Sequence, residues 1–394
     1  MTDISILYDR SETDELGIRL TAENMGIELG YLPFHKVAVG FGNEGFKYRS
    51  QRGDLLKKLD DTRVVINRTQ SKNRRIYAAM ILEACDKGAV NPLSIELFCE
   101  SKIRTLLAFQ KAGIGIPETV YVACNVKEQM AGGKEFDYTQ TIVDLIEGQL
   151  GDGKIVLKPD SGTHGRGIVL ADGLDALKGE LEGVKTSIIN PSGVVAQEFI
   201  PKWFYDLRII VWKEKGSPYR CAPTAMVRGG FTDFRTNAHL GNMIFRVDLP
   251  ANIMEQAVKC GEVMSGGAEV GVIALDAMPY IGDTRFGDED ELKASFVDIE
   301  EPFEVVRRVK ADPRKMWEFN SYTREIEKAY GNYMATDAYA HIQAVAQESL
   351  DKTRDKVLFH EGNSCPEFWE QTRIVGGVNV GECLLRGAES LLDR

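Results

Sequence analysis

Three groups of residues in this 394-residue chain could do chemistry together. The first is the run Ser161-Gly-Thr-His-Gly-Arg-Gly167, where glycines at 162, 165 and 167 let backbone N–H groups approach an anion without a Cβ in the way. Its GxxGxG spacing, followed by a strand, does not match the dinucleotide fingerprint, which needs GxGxxG opening a helix. Alone, the loop reads equally well as a plain glycine hairpin. The second group is Lys158, at the end of the strand feeding this loop, and Lys102, in the first turn of a helix; two ammonium groups beside an anion loop suit a polyphosphate. The third is Asp276, ending an apolar strand, with Glu361 and Asn363, which alternate onto one strand face across Gly362. Oxygen-only donors suit magnesium, which keeps several waters and takes other ligands from phosphates. Taken singly, Asp276 or Glu361 reads as a surface or turn acid. His360 alternates to the face opposite Glu361 and reads as a packed neighbour, and nothing marks Cys365 as a nucleophile.

These groups need elements to hold them. Ile4–Tyr8, an amphipathic stretch Glu12–Met25, and apolar runs at Lys36–Val39 and Arg63–Ile66 predict βαβ, with a helix over Asn73–Cys85, giving a small α/β domain at 1–97. Ser101 is a natural N-cap for a helix Lys102–Lys111 and Gly113 a natural stop. Strands at Glu118–Ala123, Lys154–Leu157 and Ile168–Leu170 build a second unit over 98–195. Strands at Val194–Ile200, Leu207–Trp212, Arg220–Val227 and Val270–Met278, a helix Asn252–Met264 and a last helix near Val380–Leu392 fill 196–394. Residues 280–356 interrupt that third unit. Arg314–Tyr330 and Thr336–Arg354 read as helices there, and their aromatic residues as packing surface. Lying between Asp276 and Glu361, the insertion could form a wall of the site that these residues share.

Composition narrows the partners. With 48 Lys and Arg against 59 Asp and Glu, a formal charge of -11 excludes a nucleic-acid protein that relies on a dominant basic field, while a local basic cleft stays open. The seven cysteines are scattered with no CxxC pair, so neither a zinc site nor a disulfide framework is expected. There is no basic then apolar leader and no apolar run approaching about 18 residues, so we expect a cytoplasmic protein without a membrane partner.

In this order the features resemble an ATP-grasp carboxylate–amine ligase of the RimK-like group. The resemblance rests on Lys102-Ile-Arg-Thr105, Lys158-Pro159 with Gly162–Gly167, Gln197-Glu198-Phe199-Ile200, Asp206-Leu207-Arg208, Arg235-Thr-Asn237 with Gly241, Asp276, and Glu361-Gly-Asn363. Leu7-Tyr-Asp-Arg10, Asn67-Arg68 and the tail Gly376–Gly381 look like the LysX-like branch, which joins an amino acid to the terminal glutamate of a carrier protein. The insertion, and Gly362 where a larger residue is usual, depart from the pattern.

The resemblance implies a three-domain α/β (α+β) ATP-grasp fold with an added, largely helical insertion. It implies ATP, and two magnesium ions held by Asp276, Glu361 and Asn363, with Mn2+ as a substitute. Lys102 and Lys158 would contact phosphates, and the loop Ser161, Gly162, Gly165, Arg166, Gly167 would close over them. Glu198, Phe199 and Ile200 would read the adenine edge, and Asp206 would lie by the ribose. Arg208 and Arg228 would neutralise charge developing as a carboxylate attacks the γ-phosphorus. Arg235 and Asn237 would contact the intermediate or the carboxylate substrate, with a structural salt bridge for Arg235 equally open. The implied partners are an amino acid and a carboxylate on a carrier protein, peptide or small molecule, in a homo-oligomer. An acidic carrier could meet a basic cluster at Arg68, Lys72, Arg74 and Arg75, which reads equally as a solvated helix start. A nucleotide-binding protein without turnover, and a small-molecule or ribosomal-peptide tailoring ligase, are the alternatives.

Overall fold

The computed structural model describes residues 3–10, 12–129, 132–162, 165–183, 193–236 and 241–392. Among them are three main sheets. The first is parallel, in the order Leu29–Pro33, Ile4–Tyr8, Val64–Asn67, Gly88–Val90. Its two central strands are almost wholly buried, as parallel strands covered on both faces must be. The helix Thr13–Met25 starts at a capping box between Glu12 and Glu15 and stops at Gly26, whose φ of 73° is a left-handed conformation that glycine takes without strain.

The sequence places the second strand at Lys36–Val39; the structure places it at Leu29–Pro33. Leu32 is buried there, whereas residues 38–49 form an exposed hairpin, Ala38–Gly42 with Gly45–Arg49. Short apolar runs do not distinguish a sheet strand from a hairpin arm.

The second sheet is antiparallel, in the order Val169–Asp172, Lys154–Lys158, Val194–Glu198, Thr119–Val122. Helices Thr139–Leu150 and Leu174–Gly183 cover it and give it a core of its own, built on Ile142, Ile146, Leu157, Leu177 and Leu181. The third sheet runs Met243–Asp248, Thr224–Gly229, Tyr205–Lys213, Gly271–Pro279, Val357–Asn363, all antiparallel, with Arg220–Cys221 beside Tyr205–Lys213.

The insertion holds four helices where the sequence suggests two: Glu289–Asp298, Glu300–Lys310, Phe319–Met334 and Asp337–Thr353. Asp288 caps the first by accepting from the backbone N–H of Asp290 and Glu291. The insertion shares the third sheet's core. Tyr333 is fully buried and its hydroxyl donates to Ile244 O at 3.0 Å, while the Tyr205 hydroxyl lies 2.7 Å from Ser349 Oγ. The final helix, Val380–Leu392, returns to pack against Thr13–Met25, Val64–Asn67 and Gly88–Val90.

Candidate active site

The third sheet presents a row of alternating charges. Register sets Arg228 opposite Asp206, Arg208 opposite Asp276, and Asp276 opposite Glu361. Because Asp206 and Arg208 are two residues apart on one strand, all five side chains share a face. Arg208 grips Asp276 with two hydrogen bonds, Nε to Oδ1 at 2.9 Å and Nη2 to Oδ2 at 3.0 Å, and Arg228 reaches Oδ2 at 3.3 Å. Arg228 Nε donates to Asp206 Oδ1 at 2.8 Å, the Thr236 hydroxyl donates to Asp206 Oδ2, and Lys202 Nζ donates to Thr236 Oγ1 at 2.7 Å. Burial works to raise the Asp276 carboxyl, but Arg208 and Arg228 outweigh it and hold the group well below the usual carboxylate range. Asp206 is lowered in the same way: burial opposes, and Arg228 and Lys202 prevail.

The two predicted phosphate lysines face this row from other elements. The device that brings them together is Asp160, two residues after Lys158. Its carboxylate Oδ1 accepts from the backbone N–H of Ile103 at 2.8 Å and from Ser101 Oγ at 3.0 Å, so it ties the start of helix Lys102–Lys111 to the end of strand Lys154–Lys158. Lys102 Nζ then lies 3.7 Å from Glu361 Oε1, with Lys72 Nζ on the same oxygen at 3.9 Å. Burial raises Glu361, yet these two lysines bring its net shift below the ordinary value. Lys158 is pushed down to about 7, by burial first and then by Lys102.

A cleft of about 440 Å3 opens at this meeting of elements. Lys102, Lys158, Gly162, Gly165, Arg166, Glu198, Phe199, Ile200, Asp206, Arg208, Arg228, Arg235, Asp276, Glu361 and Asn363 all line it. Ser161 and Gly167 sit in the same loop but off the cleft wall, and Asn237, like His164, lies outside the described residues. Its apolar lining is Val156, Ile168, Phe199, Ile200 and Met278; Glu198 lines it as well, its Oε1 accepting from Glu118 N at 2.9 Å. Arg235 makes the salt bridge left open by the sequence, Nη2 to Asp233 Oδ2 at 2.7 Å, while still lining the cleft.

Two expectations are corrected. His360 lines the cleft beside Glu361, because a β-bulge between Asp276 and Ala277 breaks the strict alternation of the strand pair. Its ring is held neutral, lowered to about 4 by burial and by Lys158. The cluster Arg68, Lys72, Arg74, Arg75 is not a basic surface. Arg68 is buried against Asp14 and Glu15, Arg75 against Glu96, and Lys72 faces Glu361; only Arg74, with its side chain 62% exposed, looks outward. Such a cluster with buried acids in reach pairs internally, since unpaired buried charge is costly.

Lys202 and Asp160 are residues that the motifs missed, and Thr236, inside Arg235-Thr-Asn237, carries no signal of its own. Lys202 follows the Glu198–Ile200 segment and stands four residues before Asp206, a signal available in hindsight.

The donor set fits a hard cation. Asp276 and Glu361 are cross-strand neighbours, both kept ionised despite burial, and Asn363 adds an amide two residues on, its Oδ1 accepting from Cys365 N at 2.9 Å. Among the described residues no three His, Cys, Asp or Glu side chains come together as a metal-holding group. No described helix is long and apolar enough to cross a membrane.

Residues 101–279 match the family described as the RimK-like ATP-grasp domain. The alpha-aminoadipate–LysW ligase LysX of Sulfurisphaera tokodaii is 23% identical over 264 residues, 67% of this chain and 81% of that one. A probable alpha-L-glutamate ligase of Picosynechococcus is 30% identical over 165 residues, 41% of this chain and 47% of that one. The ATP-grasp ligase PsnB, solved with a phosphomimetic variant of its minimal precursor, Mg and ADP, superposes over 99% of both chains with a TM-score of 0.53 at 10% identity, a likeness of fold alone. Residues 101–279 are a RimK-like ATP-grasp domain, and the chain is an ATP-dependent ligase that joins a carboxylate to an amine.

Proposed function

We propose that this ligase couples the amine of an amino acid to a carboxylate on a carrier protein or peptide. The observation that supports it most directly is the charge row Arg228, Asp206, Arg208, Asp276, Glu361 facing Lys102 and Lys158 across one cleft. A carboxylate approaching the γ-phosphorus brings two anions together, so the site must supply cations that do not move. Arg208 and Arg228 are fixed by bidentate and buried pairing and would neutralise the carboxylate and the transferring group. Lys102 and Lys158 would bind the phosphates, the loop 161–167 would cover them, and Glu198, Phe199 and Ile200 would take the adenine, with Asp206 near the ribose.

Asp276, Glu361 and Asn363 would hold magnesium as two ions, with Mn2+ suited to the same oxygens; bound there, the metal supplies Lewis-acid neutralisation of phosphate oxygens. The carboxylate oxygen forms the new bond to phosphorus as ADP departs. The amine nitrogen then bonds the acyl carbon as phosphate leaves with the C–O electron pair. Arg235, with Asn237, would face the carboxylate or the acyl intermediate. The same reading divides the chain at 1–97, 98–195 and 196–394 and sets the enzyme in the cytoplasm as an assembly of like copies.

The test is incubation with ATP, Mg2+, a panel of free amino acids and peptides ending in glutamate, read as ADP release and product mass. Amine-dependent ADP and a product heavier by one amino-acid residue are expected. Glu361→Ala should lower that release by at least about a hundredfold. Nucleotide binding with no ADP from any pair would overturn the reading in favour of a binding protein.

A further inference from the structure

The insertion reaches the cleft at one point. Among the described residues between 280 and 356, only Lys310 lines the cavity, at the end of helix Glu300–Lys310. One turn earlier, Arg307 Nη2 donates to Gly241 O at 2.7 Å, which fastens this helix just before strand Met243–Asp248. Lys310 Nζ lies 3.2 Å from Glu370 Oε2, and Glu370 Oε1 in turn accepts from the Tyr322 hydroxyl. Its side chain stays 26% exposed, and an ammonium has three donors, of which Glu370 engages one. Gln371 and Glu367 line the same cavity, and neither side chain hydrogen-bonds a described residue. Arg208 and Arg228 are committed to Asp206 and Asp276, and Lys102 and Lys72 to Glu361; Lys310 shares no ion pair with any of these acids.

We propose that Lys310 is a specificity-determining residue that holds the unreacting carboxylate of the amino acid supplying the amine. The proposal rests on the ligase reading above. An amino acid used as a nucleophile brings a carboxylate of its own into a site built to phosphorylate carboxylates. Unless a separate cation holds that group away from Arg208 and Arg228, the wrong carboxylate is activated. A lysine presented by a different element, outside the charge row, supplies that separation. The structural alternative is a rim ion pair that also suits the C-terminal end of a helix; it would affect stability alone.

The test compares, for wild type and Lys310→Met, ADP release with the preferred amino acid and with the amine that keeps its side chain but lacks the carboxylate. Wild type should favour the amino acid by at least about tenfold in kcat/KM, the scale of one charge-assisted hydrogen bond. Lys310→Met should lose that preference through KM, with the KM for ATP and the rate on the analogue unchanged, and Lys310→Arg should recover part of it. Glu370→Gln, which removes the ion pair but keeps the lysine, should lower Tm yet retain the preference. A preference that survives Lys310→Met, or a KM rise confined to the carboxylate acceptor, overturns the assignment. Wild type that turns over no amine overturns the ligase reading first and this one with it.

Discussion

Lys158 shows how a single residue can make the site responsive. Buried with Lys102 and Lys202 near it and Glu361 as the nearest acid, it is held at about 7, so at pH 8 most of it is neutral before nucleotide arrives. Polyphosphate favours the charged form and raises the group again, so nucleotide binding should take up close to one proton at pH 8 and little at pH 6. Calorimetry with a non-hydrolysable ATP analogue in two buffers of different ionisation enthalpy measures this, and Lys158→Met should abolish the uptake; equal uptake in the variant would show that another group carries it. Arg68 and Arg74 separate a structural charge from a surface one. Arg68→Ala leaves Asp14 and Glu15 buried without their cation, so unfolding should cost about 3–5 kcal/mol less in urea titrations. Arg74→Ala, on the exposed side, should stay within about 0.5 kcal/mol.

At the scale of elements, Gly362 explains itself through its neighbour. A Cβ at 362 would meet Met264 Cε at 2.3 Å and Sδ at 2.8 Å, so a methionine from helix Ala251–Ser265 occupies the space beneath the strand that carries Glu361 and Asn363. Gly362→Ala should therefore destabilise by about 1–3 kcal/mol, and Met264→Ala by about 2–5 kcal/mol. The double variant should cost less than the sum, because the two share one volume. Additive costs in urea unfolding would deny the contact. This pair also shows what was legible beforehand. Lys102, Lys158, the glycine loop, Glu198–Ile200, Asp276, Glu361 and Asn363 could be picked out beforehand because each belongs to a short local pattern of residue types, and the structure sets them around one cleft. Asp160 was not, since its bonds to Ser101 and Ile103 cross more than fifty positions. Nor was the side of the strand His360 takes, because a bulge is a property of register between two strands. The first two insertion helices went unread for a related reason: Glu289–Asp298 and Glu300–Lys310 are rich in charge, and only their partners reveal Leu292, Phe303 and Val306 as an inward face.

For the whole molecule, the decisive fact is how the apolar cores divide: the first and third sheets share one, while the second keeps its own and is tied to the rest through Asp160 at the start of helix Lys102–Lys111. Asn91, after the first sheet, hydrogen-bonds through its side chain to Val272 N, Val272 O and Ser364 O of the third. Asp14 accepts from the backbone N–H of Phe368 and Trp369. The insertion belongs to this joined body as well, since Tyr330, Tyr333, Ile342 and Leu350 lie in one apolar cluster with Ile6, Ile66 and Leu385. Removing residues 285–350 would therefore strip the core and could not serve as a clean test of what the insertion does at the cleft, which is why a point change at Lys310 is the better probe. The second sheet keeps a separate core, which would let it move as a unit over the cleft. Truncation before Val380 tests this division. The lost helix buries Val380, Leu384, Leu385 and Ala388. At about 1.5–3 kcal/mol for each large aliphatic side chain, the loss rivals the whole stability of a typical domain. Hydrogen exchange on the truncated chain should show unprotected amides in Ile4–Tyr8, Val64–Asn67 and Gly271–Pro279, while Lys154–Lys158 and Val194–Glu198 stay protected. Loss of protection in all five strands together would instead mark one cooperative unit and remove the basis for independent closure of the second sheet.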